Sequence, residues 1–144
     1  MNQLLQHNPI IAFLKLIRAE NLLMIVLTQV FLRYLVVHKI LISYSFRYEL
    51  NNPLFNLVVL STVLIAAAGY IINYYFDVKT DLINHPDTVV VDRVIKRRWA
   101  IILHLTFTAV GLIIGMYAAK KTGYLRLAIF HFGAAGLLWF YSTH

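Results

Sequence analysis

The feature that most constrains this chain is a set of long apolar runs without formal charge. Leu54 to Phe76 gives 23 such residues. As an α-helix rising ~1.5 Å per residue, this run reaches about 35 Å, which is enough to cross the hydrocarbon core of a bilayer. Trp99 to Ala119 supplies 21 more with His104 inside, and Leu127 to His144 supplies 18 with His131 inside. The sequence therefore predicts an integral membrane protein.

Composition agrees with this interpretation. Hydrophobic residues make up 60% of the chain and charged residues 13%, about half the usual share in soluble domains. The chain contains no cysteine, which excludes disulfides and thiolate metal sites within it. The first twenty residues lack the basic segment and small-residue cleavage site of a signal peptide, so we expect the first helix to be retained.

The first apolar segment, Asn21 to Val37, is interrupted only by Thr28, Gln29 and Arg33. Arg33 lies near one end, where its side chain is expected to snorkel to the membrane interface. The fold class predicted is therefore all-α, a polytopic membrane protein with four transmembrane helices in one membrane domain over residues 1–144. The helices are expected at about 10–37, 53–77, 99–119 and 123–144.

The Lys and Arg residues between the helices predict the orientation of the chain. Seven lie on one side, Lys15, Arg18, Lys79, Arg93, Lys96, Arg97 and Arg98, and four on the other, Lys39, Arg47, Lys120 and Lys121. The richer side is expected to be cytoplasmic, with the protein in the cell (inner) membrane. Because these residues lie in short connections, the net charge of +7 points to lipid headgroups or an anionic substrate rather than to nucleic acid.

Three polar side chains at a spacing of four follow the second apolar run: Asn73, Asp77 and Asp81. On a helix they form one stripe that drifts by about 40° per step. Carboxylates and a carboxamide are hard oxygen ligands suited to Mg²⁺ and a bound diphosphate. Alternatively, the two aspartates are solvated and paired with Lys79 or later arginines. The macrodipole disfavours acids at a helix carboxyl end, and an unsatisfied Asn73 would be costly in an apolar run.

The stretch "NYYFDVKTDLINHPD" resembles the first aspartate-rich motif of the UbiA superfamily of intramembrane prenyltransferases. Asn73, Asp77, Asp81, Asn84 and Pro86 match its pattern. The resemblance implies a nine-helix bundle, of which this chain is the N-terminal portion. It also implies Mg²⁺ as cofactor, held by Asn73, Asp77 and Asp81, with the two aspartates catalytic. A polyprenyl diphosphate would ionise to an allylic carbocation that alkylates an acceptor.

The loop "NHPDTVVVDRVIKRR" is most similar to bacterial members resembling geranylgeranylglycerol-phosphate geranylgeranyltransferase, while quinone-precursor and haem prenyltransferases stay open. The family's second aspartate motif has no counterpart here. The last helix stops at "LLWFYSTH" without the usual end signal, so we expect a C-terminally truncated chain with half of the metal site. The alternatives are a non-enzymatic four-helix membrane scaffold or small transporter, or an inactive fragment of the enzyme. Acceptor, prenyl length and oligomeric state are left open.

Two further groups of residues are candidates for substrate binding. Arg18 and Asn21 are spaced for one face of the first helix, and the family resemblance implies that this face lines the cavity. Equally, Arg18 is explained as a topological anchor and Asn21 as a helix-start residue. Arg93, near the Asn-Pro loop, is the third substrate-binding candidate, while Lys96 to Arg98 with Trp99 fit an interfacial anchor better.

The remaining features qualify the resemblance. Lys79 stands where many members carry an acidic residue, and Asp92 where a glycine is common. His104 and His131 each lack a second ligand three or four residues away, so packing or hydrogen bonding is favoured over metal binding.

Overall fold

The protein is built from helices. The structure, a computed structural model, describes residues 8–44, 51–84, 91 and 94–143, with residues 79–84 described by their backbone alone. Every regular element in these ranges is helical. The elements are α1 Pro9–Leu16, α2 Ala19–Phe31, a π-helical segment Leu32–Val37, α3 His38–Ser43, α4 Asn52–Asn84, α5 Arg97–Thr122 and α6 Arg126–Thr143. The all-α, polytopic class predicted from the sequence is confirmed.

Helix α1 is short because the chain turns sharply at Arg18. The helix begins with Pro9 after Asn8, whose side chain accepts a hydrogen bond from the Ile10 N–H at 2.9 Å. Arg18 then adopts left-handed backbone angles, φ 48° and ψ 60°. Its carbonyl accepts hydrogen bonds from the N–H groups of Asn21 and Leu22, which starts α2. The single helix expected over about 10–37 is thus two helices meeting at this turn.

Helix α2, the π-helical segment and α3 form one continuous span, Ala19–Ser43. It extends six residues beyond the expected end. Arg33 lies in the π-helical segment, and its side chain is only 5% exposed. Its Nη2 donates to Asn52 Oδ1 at 2.8 Å, and its Cζ lies 4.1 Å from the centre of the Phe55 ring. The guanidinium therefore docks against the first turn of α4.

Helix α4 is the longest element, 33 residues or about 50 Å. Asn51 caps its start by accepting a hydrogen bond from the Leu54 N–H at 2.9 Å, and Pro53 is tolerated because it lies in the first turn. The apolar part capable of crossing a membrane is Asn52–Val78. The last residues of α4 thus follow its membrane-spanning part.

Helix α5 ends where Gly123 takes φ 75°, a left-handed angle that glycine adopts without steric cost. Lys120 and Lys121 lie in its last turn, where positive charge is favoured by the helix dipole. Helix α6 then folds back along α4 and α5.

Helix α4 lies at the centre and packs against α1, α2, α5 and α6. Small residues permit the close approach, as is usual between membrane helices. A Cβ added at Gly111 of α5 would lie 2.9 Å from the Ile65 side chain, and one at Gly69 would lie 2.9 Å from Leu138 of α6. A buried cluster fills the end of the bundle near the carboxyl half of α4; its members are Leu16, Ile71, Val78, Val91 and Ala100.

Within the described part of the chain, three spans are long and apolar enough to cross a membrane: Ala19–Ser43, Asn52–Val78 and Arg97–Thr122. Helix α6, with 18 residues, is a fourth helical segment beside them. Large apolar side chains are exposed along their outer faces, for example Leu23, Leu105 and Phe130. Such faces are stable in lipid, so the fold is that of a membrane protein.

Candidate functional site

The acidic motif lies on the last turns of α4. Asn73 and Asp77 are half-buried, and the helix continues unbroken to Asn84, so Asp81 follows Asp77 by one further turn on the same helix. Asn73 Nδ2 donates a hydrogen bond to Asp77 Oδ2 at 2.6 Å. The Asp81 side chain lies outside the description. The helical stripe expected from the spacing is therefore present in the backbone, and its first two side chains are in contact.

The Asn73–Asp77 pair has the donor chemistry of a hard cation site. Among the described residues, the Asp77 carboxylate has a hydrogen bond only from Asn73, which leaves it rich in acceptor lone pairs. Rotation of the Asn73 amide exchanges its N and O, so this side chain can also present oxygen to a cation. These two groups fit Mg²⁺, which takes few protein ligands and keeps its waters. The described part of the chain gathers no group of three or more His, Cys, Asp or Glu side chains.

Arg18 packs onto the same stripe of α4. Its Cζ lies 5.4 Å from the centre of the Tyr70 ring and 5.7 Å from that of Tyr74. Tyr70, Tyr74 and Asp77 follow one another at four and three residues, so they share one face of α4. The left-handed turn thus brings an exposed guanidinium to the helix face that carries the acidic motif.

A cavity of about 720 Å³ opens beside this arrangement. It is lined by residues on both sides of the turn at Arg18 and by one residue of α4. The lining residues are Ile11, Leu14, Lys15, Arg18, Ala19, Glu20, Asn21 and Tyr74. Arg18 and Asn21, the two substrate candidates from the sequence, do line one cavity. They do so because of the turn, since Arg18 precedes α2 rather than sharing a helical face with Asn21. Lys15 and Glu20 were not predicted as lining residues, and it is the turn at Arg18 that brings them to the cavity.

The basic residues just before α5 and in its first turn differ in their surroundings. Arg93 lies outside the described residues. Lys96 and Arg98 are exposed, as expected for an interfacial anchor, and so is Trp99. Arg97 differs, because its Cζ lies 4.6 Å from the centre of the Tyr75 ring and its Nη2 donates to the Tyr75 carbonyl at 3.4 Å. It therefore ties the start of α5 to α4 at Tyr75, two residues before Asp77.

The two intramembrane histidines lie apart from the acidic motif and make hydrogen bonds to backbone carbonyls. His104 Nδ1 lies 2.9 Å from the Ala68 oxygen of α4, and its ring stacks at a tilt on Trp139. His131 Nδ1 lies 2.7 Å from the Leu127 oxygen within α6. Both rings are buried. Both histidines therefore make hydrogen bonds, which is one of the two roles that the sequence favoured over metal binding.

The fold and this site define a polytopic all-α membrane protein with an acidic helix end beside a basic cavity. The chain belongs to the UbiA prenyltransferase family, whose model matches residues 34–143. The match includes the acidic motif and Arg93, while Arg18 and Asn21 precede it. Neither the curated proteins nor the solved structures contain a significant match.

Membership of this family indicates a type of reaction. Enzymes of this family transfer prenyl groups in membranes and typically use Mg²⁺ with diphosphate substrates. The expected membrane protein class and the resemblance to this family are thereby confirmed.

Proposed function

We propose that this chain acts in transfer of a polyprenyl group from an isoprenoid diphosphate to an acceptor within the membrane. The acceptor is an aromatic ring or a glycerol-phosphate lipid, the classes that the sequence resemblance implies. The observation that carries the proposal is the Asn73–Asp77 pair, held at 2.6 Å on the α4 face against which Arg18 packs. A carboxylate and a guanidinium on one helix face suit a metal diphosphate, which has both cationic and anionic parts.

In this proposal Asp77 and Asp81 are the catalytic and metal-binding carboxylates, and Asn73 orients Asp77 and contributes an amide oxygen. Mg²⁺, when bound, supplies positive charge that stabilises the departing diphosphate. Arg18, Asn21 and Arg93 bind the substrate, with Arg18 attracting diphosphate oxygens. The allylic C–O bond breaks with its electron pair leaving on diphosphate. The acceptor then forms a new bond to the allylic carbon and releases a proton.

The chain supplies part of this machinery. Its aspartates are Asp77, Asp81, Asp87 and Asp92, and only the first two have the four-residue spacing of the motif. The second aspartate motif that the family resemblance implies is not among these four residues. The same fact is what favours the alternative function, a non-enzymatic membrane scaffold or small transporter that keeps the fold without the chemistry.

The site is proposed to face the cytoplasm across the cell (inner) membrane. Arg18, Lys96 and Arg98 lie at the same end of the bundle as Asp77, because the start of α2, the end of α4 and the start of α5 meet there. Positive residues concentrate on cytoplasmic sides.

The test is prenyl transfer by membranes that contain the full chain. Farnesyl and geranylgeranyl diphosphate would be supplied with Mg²⁺, and diphosphate release and lipid-soluble product measured. We expect Asp77→Ala and Asp81→Ala each to lower the rate by about a hundredfold or more, since each removes a carboxylate proposed to hold the Mg²⁺ whose positive charge stabilises the leaving group. Asn56→Ala, an exposed amide at the other end of α4, is the matched control and should keep the wild-type rate.

Full activity in either aspartate variant would remove that residue from the metal role. Wild-type membranes without Mg²⁺-dependent transfer from any diphosphate would favour the non-enzymatic scaffold, the small transporter or an inactive fragment. Mn²⁺ binding followed by electron paramagnetic resonance separates these outcomes, because a chain that binds Mn²⁺ through Asp77 without turning over keeps its half of the site.

A further inference from the structure

A groove runs between α5 and α6 at the end of the bundle opposite the acidic motif. Its volume is about 540 Å³, and its lining residues are Met116, Ala119, Lys120, Gly123, Leu125, Ala128, Ile129 and Phe132. The small alanines of the lining are buried, since Ala119 is 1% exposed and Ala128 is 7% exposed. The large apolar side chains of the lining are exposed. The α5–α6 groove is therefore a recess in the lipid-facing surface, with a bottom of small residues and sides of large ones.

The lining changes from charged to apolar with depth in the membrane. Lys120 is exposed and lies in the last turn of α5, a helix long and apolar enough to cross the membrane, so its ammonium lies at the membrane surface. Met116 lies one turn earlier on α5. Phe132 follows the first residue of α6 by six residues, or about 9 Å along that helix. The groove thus presents a cation at the surface and an apolar wall below it, which complements the polarity of a phospholipid.

Positive charge is in excess at this end of the chain. The sequence from Arg93 to His144 contains no Asp or Glu. The segments that join α3 to α4 and α5 to α6, with the helix turns beside them, carry the acid Glu49 and five basic residues: Lys39, Arg47, Lys120, Lys121 and Arg126. Arg47 and Glu49 lie outside the described residues. The surface around the groove therefore attracts anionic headgroups.

We propose that the α5–α6 groove binds an anionic phospholipid, with its phosphate on Lys120 and one acyl chain along Ala119, Ala128 and Phe132. A charge-assisted hydrogen bond joins the Lys120 ammonium to a phosphate oxygen. The exposed cations Lys121 and Arg126 disfavour a headgroup that also carries an ammonium, so phosphatidylglycerol is preferred over phosphatidylcholine. This site is independent of the proposed prenyl transfer and of Asp77.

The test uses the full chain in phosphatidylcholine nanodiscs, with ¹³C-methyl methionine as the reporter. Met116 lines the groove, whereas Met24 lies on α2, is 62% exposed and reports general attraction of lipid to the chain. A small amount of phosphatidylglycerol or phosphatidylcholine with a nitroxide near the top of one acyl chain is added, and it broadens the methyl signals that it approaches. We expect labelled phosphatidylglycerol to broaden Met116 about fivefold more than labelled phosphatidylcholine does.

Two variants separate the groove from general surface charge. Lys120→Gln and Lys121→Gln each remove one exposed cation from the last turn of α5, but Lys121 does not line the groove. Lys120→Gln should abolish most of the preference at Met116 and leave Met24 unchanged. Lys121→Gln should reduce the preference at Met116 less than twofold. Equal losses in the two variants would overturn the proposal, because they would assign the preference to diffuse charge.

Two further outcomes also decide the proposal. Equal broadening of Met116 by the two labelled lipids in the wild-type chain would show that the groove takes lipid without regard to charge, which contradicts a phosphate contact at Lys120. Inorganic phosphate, added at constant ionic strength, tests whether the acyl chain is needed. It should leave the broadening of Met116 unchanged, and displacement of the labelled lipid by millimolar phosphate would assign Lys120 to a free anion instead.

Discussion

At the scale of single residues, Asn73 is the hydrogen-bond donor to the Asp77 carboxylate of the acidic motif. An apolar helix surface would normally exclude an amide, yet this amide is satisfied by the Asp77 carboxylate at 2.6 Å. This hydrogen bond restrains the Asp77 side chain. Groups that orient a metal ligand typically alter metal affinity by 10–100-fold when removed.

We therefore predict that Asn73→Leu lowers Mn²⁺ affinity by about tenfold or more, with Asp77 still present. Titration of the purified chain by electron paramagnetic resonance measures this directly. Asn56→Leu makes the same exchange at an exposed amide near the other end of α4 and should bind as the wild type does. Unchanged affinity in Asn73→Leu would mean that Asp77 needs no orienting amide.

Arg18 combines a strained backbone with a side chain that is proposed to bind diphosphate. A left-handed conformation costs a residue with a Cβ roughly 1–2 kcal/mol, and glycine avoids this cost. Arg18→Gly relieves the strain but loses the ring contacts with Tyr70 and Tyr74, worth roughly 0.5–1 kcal/mol each at exposed sites. We predict a free energy of unfolding within about 1 kcal/mol of the wild type.

Diphosphate binding should respond differently in the same variant. Loss of the guanidinium is expected to weaken binding of geranylgeranyl diphosphate by about tenfold, measured by titration, with Arg18→Lys intermediate because it keeps the charge. A large loss of stability with unchanged binding would instead assign Arg18 a purely structural role at the α1–α2 turn.

At the scale of helices, the contact of α4, α5 and α6 depends on a glycine. A Cβ at Gly115 would lie 2.9 Å from both the His131 ring and Ser61 Oγ, closer than Cβ atoms normally approach other groups. Ser61 is fully buried and donates to the Gly111 carbonyl at 2.7 Å. Gly115→Ala should therefore destabilise the bundle by about 1–3 kcal/mol through overpacking.

The matched control for this prediction is Gly133→Ala on α6, where an added Cβ meets nothing within 4 Å. It should leave stability unchanged or raise it slightly, because alanine favours helix more than glycine does. Unfolding in mixed detergent micelles measures both variants. If the two lose equal stability, close packing at Gly115 is not what joins these helices.

Helix positions were predictable from the sequence because membrane spanning depends on local, additive hydrophobicity. The apolar run from Leu54 predicts the membrane-spanning part of α4, Asn52–Val78, although the helix itself continues to Asn84. The spacing of Asn73 and Asp77 predicts their contact, because helical neighbours are fixed by periodicity. The turn at Arg18 was not predictable, since neither glycine nor proline marks it. The burial of Arg33 and the approach of Arg18 to Tyr74 depend on tertiary contacts between helices, which no local pattern encodes.

At the scale of the whole molecule, the orientation of the bundle decides which side of the membrane the acidic motif faces. The ends of α5 report this well, because its 26 residues separate exposed Arg98 from exposed Lys121 by roughly 35 Å. The chain has no cysteine, so Arg98→Cys and Lys121→Cys each introduce a unique thiol. Neither residue has a role in the proposed site.

With the motif on the cytoplasmic side, a membrane-impermeant maleimide should label Lys121→Cys in intact cells. It should label Arg98→Cys only after the membrane is permeabilised. Both thiols should react equally in detergent, which controls for local reactivity. The reverse pattern would place Asp77 outside the cell, where the positive residues at this end of the bundle would contradict the usual charge rule. Two single substitutions thus decide the orientation, and with it the side from which the proposed diphosphate substrate would reach Arg18.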